Sequence, residues 1–135
     1  MNHPVLLHTA IDAQDCRGLA EFYRLLLGLH YRRGDEIRGD GDEAAVWLVL
    51  LDDAENRVLA VQQKHETTPP TWPAETVPMQ MHMDFRVASV DQLHIQRRRA
   101  EHLGARLLQD RSDDPEEPLC VLADPGGHPF CLLVQ

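Results

Sequence analysis

The chain carries one pattern of secondary-structure signals twice. Residues 8–12 (HTAID) lead into a helical pattern that stops at Gly28, and residues 82–87 (HMDFRV) lead into another that stops at Gly104. Each copy then continues with short apolar runs typical of strands. A repeat of this size is too long for a solenoid unit and too short to form an independent domain. We therefore expect the two copies to pair around a shared centre, with a ligand site between them.

Composition and charge restrict the partners of the chain. With 135 residues and 43% apolar composition, residues 1–135 are predicted to form a single domain with a substantial core. The net charge of −9 disfavours phosphate backbones and anionic lipid surfaces, so neither nucleic acid nor a membrane is an expected partner. No apolar stretch reaches membrane-spanning length, and the N-terminus lacks the pattern of a signal peptide. These features predict a cytoplasmic protein.

The first copy, module one, is assigned to residues 4–64. Leu19, Phe22, Tyr23 and Leu26 recur at helical spacing, which predicts a helix over 16–27 with one apolar face, ended by Gly28. Branched apolar runs predict the strands, and a glycine-rich acidic segment between them predicts a hairpin loop. The predicted strands are 5–11, 30–33, 46–51 and 58–63, and the predicted loop is 34–43.

Module two is assigned to residues 79–135, and a linker with four prolines, 65–78, precedes it. Trp72 in this linker is either a packing anchor or a wall of the ligand site. Residues 79–87 alternate strictly, which predicts a strand with an apolar face and a polar face that carries His82 and Asp84. The other predicted elements are a helix over 91–103, strands at 107–108, 119–123 and 130–134, and a tight turn at 124–127.

The order βαβββ, repeated, resembles the vicinal oxygen chelate superfamily, which holds glyoxalase I, extradiol dioxygenases and bleomycin-resistance proteins. The motifs that carry the resemblance are His-x-Asp-Phe-x-Val at 82–87 and Asp-Pro-Gly-Gly-His-Pro-Phe at 124–130. The likeness is strongest to small glyoxalase-like domain proteins. It implies an α+β fold in which two βαβββ modules form a cupped, eight-stranded, mostly antiparallel sheet with the helices outside, and it implies a homodimer. These motifs specify the fold rather than the chemistry.

The resemblance also implies where a metal would bind. Metal-dependent members use the residue that opens the first strand of each copy and a carboxylate in the last strand of each copy. The openers here are His8 and His82, whereas the last-strand positions fall near Gln62 and on Cys131. Two histidines leave a divalent ion short of ligands, so we favour no cofactor and expect no stoichiometric transition metal. A divalent metal on His8, His82 and Cys131 remains an alternative.

Two classes of function follow. The favoured one is a small-molecule-binding protein with a cleft between the modules, in which His82 and Asp84 hydrogen-bond a ligand or act as an acid/base pair. The alternative is a metal-dependent lyase, isomerase or dioxygenase that uses His8 and His82 as metal ligands. The predicted ligand-binding residues are His8, Trp47, Gln62, Trp72, His82, Asp84 and Phe130.

Overall fold

The computed structural model describes residues 2–39 and 45–135, which divide along the chain into two compact units, with the boundary between Thr67 and Thr68. The predicted order βαβββ is confirmed in both units, and so is the α+β class. Each unit holds a four-stranded sheet with one parallel and two antiparallel strand pairs. The elements of the first unit are β1 Thr9–Ala13, α1 Cys16–Leu27, β2 His30–Tyr31, β3 Trp47–Leu51 and β4 Arg57–Gln63. Those of the second are β5 Met83–Val87, α2 Val90–His102, β6 Arg106–Arg111, β7 Leu119–Ala123 and β8 Pro129–Val134.

Helix α1 has the predicted bounds because both of its ends are specified locally. The Asp15 carboxylate accepts a hydrogen bond from the Gly18 amide at 3.0 Å and caps the first turn. Gly28 takes the left-handed conformation at φ 67°, which ends the helix at no steric cost. The apolar face is buried and packs on β3 and β4, as the periodicity predicts. Its members include Leu19, Phe22, Tyr23 and Leu26.

The first sheet has the order β1-β4-β3-β2. The predicted strand 5–11 is wrong at its start, since β1 begins only at Thr9, which pairs with Leu59. β4 itself begins at Arg57, so the chain before β1 soon runs out of a neighbouring strand to pair with. Val5, Leu6 and Leu7 are consequently exposed. Of the predicted loop 34–43, residues 40–43 lie outside the described part of the chain.

The second sheet has the order β5-β8-β7-β6, with β5 parallel to β8. α2 packs on β5, β7 and β8 through Leu93 and Ala100, both fully buried. The helix begins one residue earlier than predicted, because Ser89 is its N-cap and accepts a hydrogen bond from the Gln92 amide. The sheet therefore has one face against α2 and one face directed away from it.

Two strand predictions in the second unit need correction. β5 begins at Met83 rather than Met79, and Met81, predicted to lie on the core face, is 78% exposed. Met83 pairs with Phe130 close to the start of β8, so little of β8 remains for residues 79–82 to pair with. β6 spans six residues rather than two, because it pairs with all of β7 across a β-bulge.

The β7–β8 hairpin closes through a side chain, at the predicted turn. The buried Asp124 carboxylate accepts hydrogen bonds from the amides of Gly126 at 2.8 Å and His128 at 3.0 Å, and its oxygen lies 2.8 Å from His128 Nδ1. Gly127 supplies the positive φ of 91° that the turn needs. The turn fixes where β8 starts, and with it the side chains that β8 presents on each face.

Candidate functional site

The face of the second sheet that points away from α2 carries a cavity of about 260 Å³. Alternation along the strands explains its composition, because every second residue of β5, β7 and β8 faces this side. The intervening residues of β7 and β8, such as Leu122 and Leu132, face α2 and are buried. The cavity is lined by Trp72, Met79, His82, Asp84, Gln109, Arg111, Glu117, Leu119, Val121, Cys131 and Leu133.

Three potential donor groups converge in this cavity. Asp84 pairs with Cys131 in the parallel register of β5 and β8, and His82 lies two residues before Asp84. His82 Nε2 is 3.3 Å from Asp84 Oδ1. One donor atom from each of the three side chains lies within 4.8 Å of the other two. The structure therefore brings together the predicted pair His82 and Asp84 with Cys131, and we call these three residues the HDC cluster.

The thiol of this cluster is held in its protonated form. Burial, the neighbouring Asp84 charge and a hydrogen bond with that carboxylate raise the pKa of Cys131 to about 12. The thiol is therefore neutral near pH 7 and donates its proton towards the Asp84 carboxylate. His82 and Asp84 are partly open to solvent, with side chains 38% and 58% exposed. The polar end of the cavity is thus accessible from outside.

Trp72, predicted to be a packing anchor or a wall of the ligand site, lines this cavity. A closed loop positions it. The Thr71 amide donates to the Val77 carbonyl at 2.8 Å, and the Val77 amide donates to Thr71 Oγ1 at 2.9 Å. These two bonds pin the ends of the loop that carries the indole.

The turn between β6 and β7 supplies the charged rim. Arg111 forms an ion pair with Asp114 at 3.0 Å, and Asp114 also accepts a hydrogen bond from the Glu117 amide at 3.0 Å. Backbone amides and the guanidinium lower the pKa of Asp114. Because Asp114 already compensates Arg111, the carboxylates of Asp84 and Glu117 give the cavity an excess of negative charge.

In the first unit, His8 lies beside Trp47, with ring centroids 5.9 Å apart. Its Nδ1 is buried and makes no hydrogen bond in the structure. Burial and the positive charges of Arg57 and Arg32 lower the pKa of His8, so the imidazole is neutral near pH 7. The imidazole of His8, predicted to be a ligand-binding residue, can therefore donate or accept a hydrogen bond.

The strand registers change the expected equivalence of the two copies. Cys131 pairs with Asp84 in the second unit, and the matching pair in the first unit is Ala60 with Ala10. Gln62 lies two residues further along β4, between Trp47 and Asp12. The first copy therefore offers no side-chain ligand at the position that corresponds to Cys131.

Phe130, predicted to line the ligand cleft, is instead a core residue. It is fully buried, and its ring packs against Phe85 at 5.7 Å between centroids, on the face of the sheet opposite Cys131. Period-2 alternation from Cys131 would have shown this, since adjacent residues of a strand point to opposite faces. The same rule identifies Leu133 as a cavity residue, which the sequence argument missed. Gln109, Arg111, Glu117, Leu119 and Val121 were missed as well.

Comparison with known proteins identifies the fold. The family model of the glyoxalase-like domain matches residues 8–133. No curated protein matches the chain. Within the described residues, no helix is both long enough and apolar enough to cross a membrane.

Solved structures of similar fold cover nearly the whole chain. A glyoxalase/bleomycin resistance protein/dioxygenase family enzyme from Burkholderia phytofirmans has a TM-score of 0.68 at 16% identity, covering 95% of this chain and 96% of its own. A possible glyoxalase from Bacillus cereus has a TM-score of 0.65 at 17% identity, covering 96% and 97%. The fosfomycin resistance protein FosX from Listeria monocytogenes, in a complex with Mn(II) and sulfate, has a TM-score of 0.66 at 16% identity, covering 97% and 92%. The chain belongs to the glyoxalase-like domain family.

Proposed function

We propose that the protein binds a small molecule, as expected of the glyoxalase/bleomycin-resistance type, and that the cavity of the second unit takes the ligand. The observation that carries the proposal is the composition of this cavity. Leu119, Val121 and Leu133 form an apolar floor, Trp72 forms a wall, and the HDC cluster places polar groups beside them. A mostly apolar pocket with a few convergent polar groups is the usual form of a small-molecule site.

The cavity also favours a class of ligand. Its volume of about 260 Å³ is just below the roughly 300–1,000 Å³ usual for drug-sized ligands, which favours a smaller molecule. The carboxylates of Asp84 and Glu117 outnumber the single guanidinium of Arg111, which Asp114 already neutralises. A neutral or cationic head group against the HDC cluster, with an apolar body on the sheet, fits these features.

Thermal shift with a library of small polar-headed compounds tests the proposal, because a ligand that binds only the folded state raises its stability. Hits should also change tryptophan fluorescence, and the change should be lost in Trp72→Ala. Asp84→Asn should weaken hits that carry a cationic head group by about tenfold or more, as expected for a charge-assisted hydrogen bond. Asp91→Asn, on the exposed start of α2, is the matched control and should bind normally. Hits that bind Trp72→Ala and Asp84→Asn as well as they bind the unchanged protein would place the ligand elsewhere.

A metal-dependent lyase, isomerase or dioxygenase that uses His8 and His82 is the second candidate. The neutral imidazole of His8, with its unbonded Nδ1, is the observation in its favour. The residues present do not fit a hard ion such as Mn(II), which prefers carboxylate and water oxygens. Cys131 offers sulfur and Ala60 offers no ligand at the two last-strand positions. We therefore rank this enzyme below the binding protein.

We also propose a homodimer that works in the cytoplasm. Each described sheet has two edge strands, β1 and β2 in the first and β5 and β6 in the second, and edges of this kind invite pairing or cover by another chain. Light scattering coupled to size exclusion measures the assembly. A dimer has twice the 15.3 kDa of the chain, and a species of 15.3 kDa at tens of micromolar would refute it.

A further inference from the structure

The HDC cluster changes the ligand count on which the metal-free expectation depends. That expectation treats Gln62 and Cys131 as replacements for carboxylates and leaves two histidines. The structure supplies a carboxylate at another position, since the register of β5 and β8 sets Asp84 directly beside Cys131. A nitrogen, an oxygen and a sulfur donor therefore converge within a single unit.

This donor set matches one metal better than others. Zinc binds histidine nitrogen, carboxylate oxygen and cysteine sulfur, usually with tetrahedral geometry, whereas magnesium, calcium and manganese prefer oxygen donors alone. Three protein ligands and one position open to water or to a small molecule are the usual form of a catalytic zinc site. The exposure of His82 and Asp84 leaves such a position open towards the cavity.

The distances allow closure of the site by rotation of side chains. Donors around a tetrahedral zinc ion are about 3.3–3.7 Å apart, given metal–ligand bonds of roughly 2.0–2.3 Å. His82 Nε2 and Asp84 Oδ1 are already 3.3 Å apart, and the largest separation among the three donor atoms is no more than 4.8 Å. The backbone of Asp84 and Cys131 is fixed by strand pairing, so only side-chain movement of about 1 Å is needed.

We propose that His82, Asp84 and Cys131 form a zinc site contained in the second unit, at the polar end of the cavity. The Cys131 thiol loses its proton to solvent when the Zn–S bond forms. The Asp84 carboxylate, freed from its hydrogen bond with the thiol, becomes the second ligand. The fourth position faces the cavity. The site differs from the alternative set of His8, His82 and Cys131 in needing Asp84 and in not needing His8.

The test uses the full chain without a tag, freed of metal by a chelator and titrated with zinc against a chromophoric competitor. We expect one equivalent bound, with weaker binding of Mn(II). Outer-shell substitutions at metal sites cost about 10–100-fold in affinity, so loss of a ligand in His82→Ala, Asp84→Asn or Cys131→Ser should cost at least as much. Two controls should bind normally, Asp91→Asn for the carboxylate and His102→Ala, at the exposed end of α2, for the imidazole. His8→Ala should also bind normally.

A second measurement identifies the sulfur ligand. Cobalt(II) in the same site should show a thiolate-to-metal charge-transfer band in the near ultraviolet, and Cys131→Ser should abolish it while far-ultraviolet circular dichroism stays unchanged. Absence of binding, normal binding by Asp84→Asn or Cys131→Ser, or loss of binding in His8→Ala would overturn the zinc site. Thermal shifts caused by small molecules in the presence of a chelator would still support the proposed binding function. The two proposals can therefore fail separately.

Discussion

Substitution of Gly127 by alanine tests whether the chain before β5 is packed on the β7–β8 turn. Gly127 has a φ of 91°, and a Cβ added there would lie 2.5 Å from Pro69 Cβ and 3.1 Å from Pro69 Cγ. The first distance is shorter than any ordinary contact, so the turn or the proline must move. Gly28→Ala is the matched control, because Gly28 has a similar φ of 67° and nothing within 4 Å of the added Cβ.

Both substitutions place alanine at a positive φ, but only Gly127→Ala also forces the new Cβ against Pro69. A positive φ costs alanine about 1–2 kcal/mol, of which about 0.4–1 kcal/mol is offset by the lower entropy of the unfolded chain. Gly28→Ala should therefore lower the free energy of unfolding by about 1 kcal/mol. Overpacking adds about 1–3 kcal/mol, which brings the expected loss for Gly127→Ala to about 2–4 kcal/mol.

Urea unfolding followed by circular dichroism measures both losses. With a slope of about 2 kcal/mol/M, the midpoint should fall by about 0.5 M for Gly28→Ala and by about 1–2 M for Gly127→Ala. Pro69→Gly removes the clashing atoms, so in that background Gly127→Ala should cost about 1–3 kcal/mol less. Equal losses for the two alanine variants, or no coupling with Pro69→Gly, would refute the packing of Pro69 against the turn.

Three further outcomes are expected. Burial and the hydrogen bond to Glu21 raise the pKa of Tyr31 to about 12 from 10.0, so the phenol loses its proton at lower pH in the unfolded chain than in the folded protein. The free energy of unfolding should therefore fall by up to about 3 kcal/mol between pH 10 and 12. Tyr31→Phe should remove this pH dependence in chemical unfolding, and an unchanged pH dependence would contradict the assignment. Asp15→Ala removes the N-cap of α1 and should lower the free energy of unfolding by about 1 kcal/mol, whereas Asp15→Asn should keep most of it; identical urea midpoints for the two variants would rule out the cap. In metal-free protein, Asp84→Asn should lower the pKa of Cys131 and speed its alkylation at pH 8, measured by mass spectrometry, while Asp91→Asn leaves the rate unchanged; equal rates in both variants would show that Asp84 does not act on the thiol.

Elements with local signals could be predicted from the sequence alone. Helix α1 has the predicted bounds because its apolar spacing, its cap Asp15 and its stop Gly28 all lie within the helix or next to it. The repeat predicted the order βαβββ for the same reason, because each helix and each strand has its own spacing of apolar residues in the sequence. The family resemblance depends on such short motifs too, and the match over residues 8–133 confirms it.

The site depended on contacts that local signals do not encode. The pairing of Asp84 with Cys131 is set by the register of two strands far apart in sequence, and a shift of one residue would turn Cys131 to the other face of the sheet. In the first unit, register likewise places Ala60, rather than Gln62, at the position that corresponds to Cys131. It also turns Phe130 towards α2, where the side chain is buried. The sequence by itself determined the two modules and the candidate histidines. Only the tertiary structure decided which side chains share the cavity with His82, because strand pairing is a long-range property of the folded chain.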